Sequence, residues 1–172
     1  MRRVFKVGKE HKIFFHAAAG GVGTIFGQWA RHLGAYSIGS AGSDEKCEIA
    51  KNNGFDEVIN YREKDFVVEA LKINPDKFDV VYDGVGNDTF PHSLDIIKLA
   101  GLFVSFGQSS GPIPPFSIGL LNQKGSLYAT RPSIAGHNPD KKTLNESALE
   151  FYSLVRDGII KIDINQRFEL KD

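Results

Sequence analysis

The sequence predicts an α/β fold: a doubly wound parallel sheet in a single domain. Three observations predict it. Apolar runs of strand length alternate with longer segments of helical spacing along the whole chain. No interior linker, repeat or low-complexity stretch divides the 172 residues, a length that fits one sizeable core. A turn of small residues, HAAAGGVG at 16–23, joins the first apolar run to the first helical one.

The elements follow in order. KIFFHA (12–17) reads as a buried strand. Val22 to His32 reads as a helix, with Ile25, Phe26, Trp29, Ala30 and Leu33 at helical spacing and Gly34 where a C-terminus wants a left-handed residue. AYSIG (35–39) is the second strand. Ser43 or Asp44 caps a helix from Glu45 to Asn52, which ends at Asn53-Gly54. EVIN (57–60) is the third strand, and Asp65 starts a helix that ends near Asn74-Pro75. FDVVYDG (78–84) is the fourth strand. Phe90 to Lys98 reads as a helix with Leu94 and Ile97 inward. GLFVSFG (101–107) is the fifth strand, and SSGPIPPFSIG is an exposed loop. GSLYATRP (125–132) is a sixth strand closed by Pro132. After the loop HNPDKK, Thr143 caps a helix to Arg156, and Asp157-Gly158 turns into IIKID. Right-handed crossovers turn this alternation into a sheet covered on both faces.

Composition narrows the function classes. Hydrophobic residues at 41% and charged residues at 24% are the profile of a soluble globular protein. Lys+Arg and Asp+Glu both number 21, so the overall basic signature of a nucleic-acid binder is missing. The apolar runs are too short to span a bilayer, and charges interrupt the basic N-terminus, so no signal-peptide core forms. A single cysteine, Cys47, allows neither an internal disulfide nor a cysteine-cluster zinc site. A cytoplasmic location is the expectation. Both ends, with Met1 close before the first strand and FELKD after a turn signal, read as cuts through a larger architecture.

Ala18-Ala19-Gly20-Gly21-Val22-Gly23 fits the dinucleotide fingerprint of the Rossmann fold, with alanine in the first glycine slot. Gly20 would let backbone approach a pyrophosphate, and Gly23 would let the helix sit close on the strand. The helix N-terminus adds free N–H groups and the positive end of its dipole. Ala18 is tolerable only if the turn needs no positive φ there. No Lys-Ser/Thr follows the glycines, so a P-loop is excluded. The plain alternative is a tight packing turn.

An NAD site usually carries Asp or Glu at the tip of the second strand. Here the tip is Ile38-Gly39-Ser40-Ala41-Gly42-Ser43, with no acid before Asp44. That neutral tip leaves room for a 2′-phosphate, on which Ser43, Lys46 and Tyr61 would converge. The expected cofactor is therefore NADP(H). At the far end, Asp83-Gly84-Val85-Gly86 and Phe106-Gly107-Gln108-Ser109 place glycines where a ribose or nicotinamide needs close backbone approach. Arg131-Pro132 ends the sixth strand and would present backbone to the carboxamide. Asp83 is read as a turn cap rather than a general base, and His16 as a satisfied histidine. No histidine pair has metal-ligand spacing on one face. No catalytic residue and no metal ligand is assigned.

Together, HAAAGGVG, VINYRE, VVYDGVG, VSFGQSSG and LNQKGSLYATRPS resemble the quinone oxidoreductases. These are zinc-free members of the medium-chain dehydrogenase/reductase superfamily, related to ζ-crystallin. The likeness runs over essentially the whole chain, and the last motif is the most specific. It implies NADPH-dependent transfer of hydride to a quinone or another conjugated carbonyl. It carries pyrophosphate contacts onto Gly20, Gly21 and Val22, and adenosine-phosphate contacts onto Gly42, Ser43, Lys46 and Tyr61. Nicotinamide-side contacts fall on Val85, Phe106, Gly107, Gln108, Ser109, Pro132 and Ser133. It also implies a homodimer paired through a Leu127–Thr130 edge strand. Such members carry a GroES-like substrate domain before the nucleotide domain and a return segment after it. Both are expected to be absent here, so residues 1–172 would be the nucleotide domain alone, with little turnover by itself. Two alternatives stand beside this reading: an alkenal or enoyl double-bond reductase domain, and a non-catalytic NADPH-sensing dimerisation module.

Overall fold

The computed structural model of the protein describes residues 1–164 and 167–170; Lys171-Asp172, the end of FELKD, lies outside them. Six strands, β1 (Lys12–Phe15), β2 (Tyr36–Ala41), β3 (Glu57–Asn60), β4 (Phe78–Asp83), β5 (Ile97–Ser105) and β6 (Tyr128–Thr130), form one sheet in the order β3-β2-β1-β4-β5-β6. Every pairing is parallel. This is the doubly wound order of dinucleotide-binding folds, whose topological switch point lies between β1 and β4.

Period-2 alternation divides the core. Ile13, Phe15, Val80, Tyr82 and Val104 point to one face, where α1 (Gly21–His32) covers them with Phe26 and Ala30. Phe14, Val81 and Phe103 point to the other, where α3 (Phe66–Ile73) adds Ala70 and the partly buried Phe66 and Leu71. Because helices cover both faces, these strands are apolar nearly throughout rather than alternating in sequence.

Local signals set the helix ends. Gly34 takes φ +74° just beyond the C-cap of α1, the left-handed geometry that glycine adopts without a Cβ penalty. Ser43 caps α2 (Asp44–Asn52), and Asp65 caps α3 by accepting from the amides of Val67 and Val68. The last helix, α6 (Lys141–Arg156), is capped by Asp140 rather than Thr143. The Asp140 carboxylate accepts both the Thr143 amide at 2.7 Å and its hydroxyl at 2.8 Å. The acid three residues earlier therefore wins the cap.

The segment after β4 departs from expectation. Phe90–Lys98 is not an α-helix: a 3-10 turn, His92–Ile96, leads straight into β5, which starts at Ile97 instead of 101. Ser93, Leu94, Ile96 and Ile97 are all buried. The turn packs against α3, β4 and β5, the setting of a short connecting piece for which 3-10 winding is used. Phe78 then pairs with Ile97 but Val80 with Leu102, so Lys98–Ala100 bulges out of the ladder. The sixth strand is also shorter than expected. Only Tyr128–Thr130 pairs with β5, while Leu127 is buried just ahead of it. Two short helices, α4 (Gly119–Gln123) and α5 (Ile134–His137), went unforeseen because segments that short show no periodicity.

Candidate nucleotide site

At the carboxyl end of β1 the chain turns through residues 16–20 into α1. The positive φ of the turn falls on Ala17, at 57°, and not on Ala18. That meets the condition for an alanine in the first glycine slot. Ala18 is fully buried and its N–H donates to the Ser40 carbonyl at 2.9 Å, which docks the turn on β2. Gly20 is the N-cap of α1, with no side-chain cap and no acid in the first turn. The first helical N–H groups, from Gly21 onward, are thus left open to an anion. A Cβ on Gly23 would lie 2.3 Å from the Ala18 carbonyl oxygen, whereas one on Gly21 would meet nothing within 4 Å. The third glycine is therefore a packing glycine; in the second slot a Cβ on Gly20 would lie 3.2 Å from the Ala17 carbonyl oxygen, and open space lies at Gly21.

A hollow of about 180 Å³ lies beside this turn, lined by Ala17, Ala19, Gly20, Ala41, Gly42, Lys46 and Tyr61. The structure thereby brings Gly20, Gly42, Lys46 and Tyr61 to one place from three different strand ends. Tyr61 lies over Gly42 so closely that a Cβ there would be 2.7 Å from its hydroxyl. Ser43 does not line the hollow; it caps α2, its Oγ accepting from the Lys46 amide at 3.3 Å with its proton still free to donate. Lys46 forms no ion pair among the described residues. Sequence reasoning passed over Arg62, whose Nε lies 3.6 Å from the Cβ position of Gly42. Its adjacency to Tyr61 was the available signal. Gly42 thus has two cations nearby and no acid at its strand tip.

The far-end residues do not share one cavity. Phe106, Pro132 and Ser133 line a hollow of about 550 Å³ that also reaches Val22, Trp29 and the first residues of the chain. Gln108 faces a second hollow of about 530 Å³, with Arg131, Phe103 and the Pro112–Phe116 loop. The Val85 amide donates to Asp83, its carbonyl accepts from the Ser110 amide and hydroxyl, and the Ser109 amide donates to the Gly84 carbonyl. Gly107 proves to be shaped by Gly84, and Gly84 by Phe106, rather than by open space. A Cβ on Gly107 would lie 2.6 Å from the Gly84 carbonyl, and one on Gly84 would lie 2.9 Å from the Phe106 ring. Arg131 acts through its side chain: its guanidinium donates to Ser105 Oγ, the Gly107 carbonyl and Gln108 Oε1 at 2.8–3.2 Å, pinning the tip of β5.

Asp83 caps its own turn. One carboxylate oxygen accepts the Val85 and Gly86 amides at 2.8 and 3.0 Å, and the other accepts the Thr89 hydroxyl at 2.7 Å. It is fully buried and every oxygen is engaged, as a structural acid requires. His16 is equally enclosed. Its Nδ1 lies 2.9 Å from Ser40 Oγ, its Nε2 lies 3.0 Å from Ser93 Oγ, and Phe14 and Phe66 stack edge-on against it. Burial lowers its pKa from 6.5 to about 4, although the nearby Asp83 charge opposes the shift.

The model of the zinc-binding dehydrogenase family matches residues 21–151. Among curated proteins, a quinone oxidoreductase of Salmonella typhimurium is 48% identical over 100% of this chain and 54% of its own length. A 2-haloacrylate reductase of a Burkholderia species is 34% identical over 100% of this chain and 52% of its own length. Among solved structures, Escherichia coli quinone oxidoreductase complexed with NADPH superposes with a TM-score of 0.92 at 46% identity, covering 95% of this chain and 50% of that one. The chain thus spans about half the length of the relatives it matches. No group of three or more His, Cys, Asp or Glu among the described residues is placed to hold a metal ion, so the residues present do not fit the zinc of the family's description.

Proposed function

The chain belongs to the zinc-binding dehydrogenase family, and from that membership and the geometry of its strand ends we propose that it is the NADPH-binding domain of a quinone oxidoreductase. The observation that carries the reading is the tip of β2: Gly42 under Tyr61, with Lys46 and Arg62 close by and no acid. A 2′-phosphate brings two negative charges to that spot and finds cations and hydroxyl donors. A free ribose 2′-hydroxyl, as in NADH, finds no carboxylate to hold it. Gly21 and Val22 would take the pyrophosphate on open helix N–H groups, with Gly20, whose N–H is held by the Ala17 carbonyl, bordering it without a side chain. The turns at Val85, Phe106–Ser109 and Pro132-Ser133 would border the nicotinamide. NADPH, when bound, supplies a hydride for a quinone or another conjugated carbonyl. The chain's own residues hold the donor and no side chain among them is assigned a proton-transfer step.

The acceptor would be positioned by the half of the relatives' length that this chain does not span, because hydride transfer needs both partners held at near-attack distance in a dry cleft. The 2-haloacrylate reductase relative supports conjugated carbonyls as the wider acceptor class. A homodimer through the edge of β6 also belongs to the reading. This strand ends the sheet, and Tyr128 on it is 66% exposed, an edge that natural proteins pair or cover. No helix of the described residues is long and apolar enough to cross a membrane.

Lys46→Ala tests the carrying observation. Loss of one charge-assisted contact, about 1.5–3 kcal/mol, should weaken NADPH roughly 10- to 100-fold and leave NADH nearly unchanged, measured by fluorescence titration. Equal losses for the two cofactors would move Lys46 out of the phosphate site.

A further inference from the structure

His16 opens the motif that begins the site, yet the cofactor reading leaves it unused. It sits where three turns meet. Its backbone N–H donates to the Tyr82 carbonyl at 2.9 Å, at the switch point between β1 and β4. Its Nδ1 reaches Ser40, the residue just before the Ala41-Gly42-Ser43 tip. Its Nε2 reaches Ser93, whose hydroxyl lies 3.1 Å from the Asp83 carboxylate. Asp83 in turn holds the amides of Val85 and Gly86. His16, Ser40, Asp83 and Ser93 are each no more than 1% exposed.

The hydrogen bonds have one consistent direction. Ser93 donates to Asp83 and so accepts from His16 Nε2–H, while Ser40 donates to the unprotonated Nδ1. A neutral imidazole accepts at one edge and donates at the other, as these two hydroxyls require. A merely space-filling residue would leave the buried Ser40 hydroxyl without a partner, at about 1–3 kcal/mol, while Ser93 would lose its imidazole donor and keep Asp83 and the Thr89 carbonyl.

We propose that His16 is a positioning residue of the nucleotide site, fixing the relative placement of three turns: the helix turn at 17–20, the β2 tip at 41–43 and the β4 turn at 84–86. The proposal rests on these turns being the cofactor's seat. A dinucleotide spans all three, so its affinity depends on their separation. A ligand that touches only the first two does not sense the third. Ser93 carries the side-chain link from His16 to the β4 turn, and removing it should loosen that turn while the His16 N–H bond to the Tyr82 carbonyl still holds the strand.

The test uses this 172-residue chain, titrated by calorimetry with NADPH and with 2′,5′-ADP, well below each variant's melting temperature. Ser93→Ala should weaken NADPH about tenfold, the size of a lost effective-concentration advantage, and leave 2′,5′-ADP within about threefold. His16→Phe should weaken both ligands, and His16→Gln, whose amide both accepts and donates, should recover most of the loss. If Ser93→Ala lowers only the melting temperature, or weakens the two ligands equally, the positioning role is overturned. Should His16→Phe fail to fold, Ser93→Ala, which loses a single oxygen, still decides. Failure of the unmodified chain to bind either ligand overturns the cofactor reading itself and the positioning role with it.

Discussion

Gly23→Ala should destabilise the protein by about 3 kcal/mol, the upper range for overpacking, and lower its melting temperature by roughly 6–12 °C for a domain of this size. The added methyl would stand 2.3 Å from the Ala18 carbonyl oxygen, 2.6 Å from the Ala18 carbonyl carbon and 2.8 Å from the Ala17 carbonyl oxygen. All three are backbone atoms, so no flexible side chain can swing aside. Ala18 itself is held by its hydrogen bond to Ser40 and by complete burial. Helix propensity acts in the opposite direction, since alanine improves on glycine by about 0.5–1 kcal/mol inside a helix, but the clash is several times larger. Gly21→Ala is the matched control. Its methyl would meet nothing within 4 Å, so its melting temperature should stay within about 2 °C of the parent, since propensity alone is worth less than about 1 kcal/mol. Thermal unfolding followed by circular dichroism separates the two; a Gly23→Ala protein that melts with the parent would remove Gly23 from the packing role.

The second large effect is acid sensitivity from His16. Its folded-state pKa lies near 4, below the ordinary 6.5, because burial penalises the imidazolium more than Asp83 favours it. Above pH 6.5 neither state binds the proton and the group contributes nothing. As the pH falls from about 6.5 to 4, the unfolded chain takes up the proton and the folded one resists it. Stability then drops by about 1.4 kcal/mol per pH unit, about 3 kcal/mol in all, and this loss levels off below pH 4. Asp79 adds stability that is lost only at lower pH: burial raises its pKa, but the Lys98 hydrogen bond and ion pair and the Lys12 amide together outweigh it and hold the value below the usual one. The two windows are therefore separable. Urea midpoints measured from pH 7.5 to 4 should show this slope in the parent, and His16→Gln should flatten it. A parent whose stability is level between pH 6.5 and 4.5 would show that His16 titrates normally.

Much of the candidate site was legible in the sequence because its parts are local. The alternation of apolar runs, the small-residue turn between β1 and α1, and the capping residues Ser43 and Asp65 each act within one turn of the chain. The neutral tip at 39–43 was visible as the plain absence of an acid before Asp44. What lay hidden depends on neighbours far away in sequence. Arg62 was passed over because only the β2–β3 pairing brings it to Gly42. Gly84 and Gly107 suggested room for a ligand, yet they face each other across the ends of β4 and β5. The residues 90–98 had a helical pattern, but contacts with α3, β4 and β5, distant in sequence, make them a short 3-10 turn that enters β5 early.

By itself, then, the sequence determined the class of fold, the turn that starts the candidate site and the absence of an acid at the β2 tip, since hydrophobic period, glycine placement and caps are properties of adjacent residues. The tertiary structure alone decided which polar groups meet beneath that site. Ser40 and Ser93 lie 24 and 77 residues from His16. Ser40 reaches one ring nitrogen because parallel pairing aligns β1 with β2, and Ser93 reaches the other because the 3-10 turn His92–Ile96 packs against β4. A histidine with two apolar neighbours reads the same in a sequence whether it faces water or two buried hydroxyls. Burial, set by the packed sheet and helices, is what turns it into a neutral link between three turns.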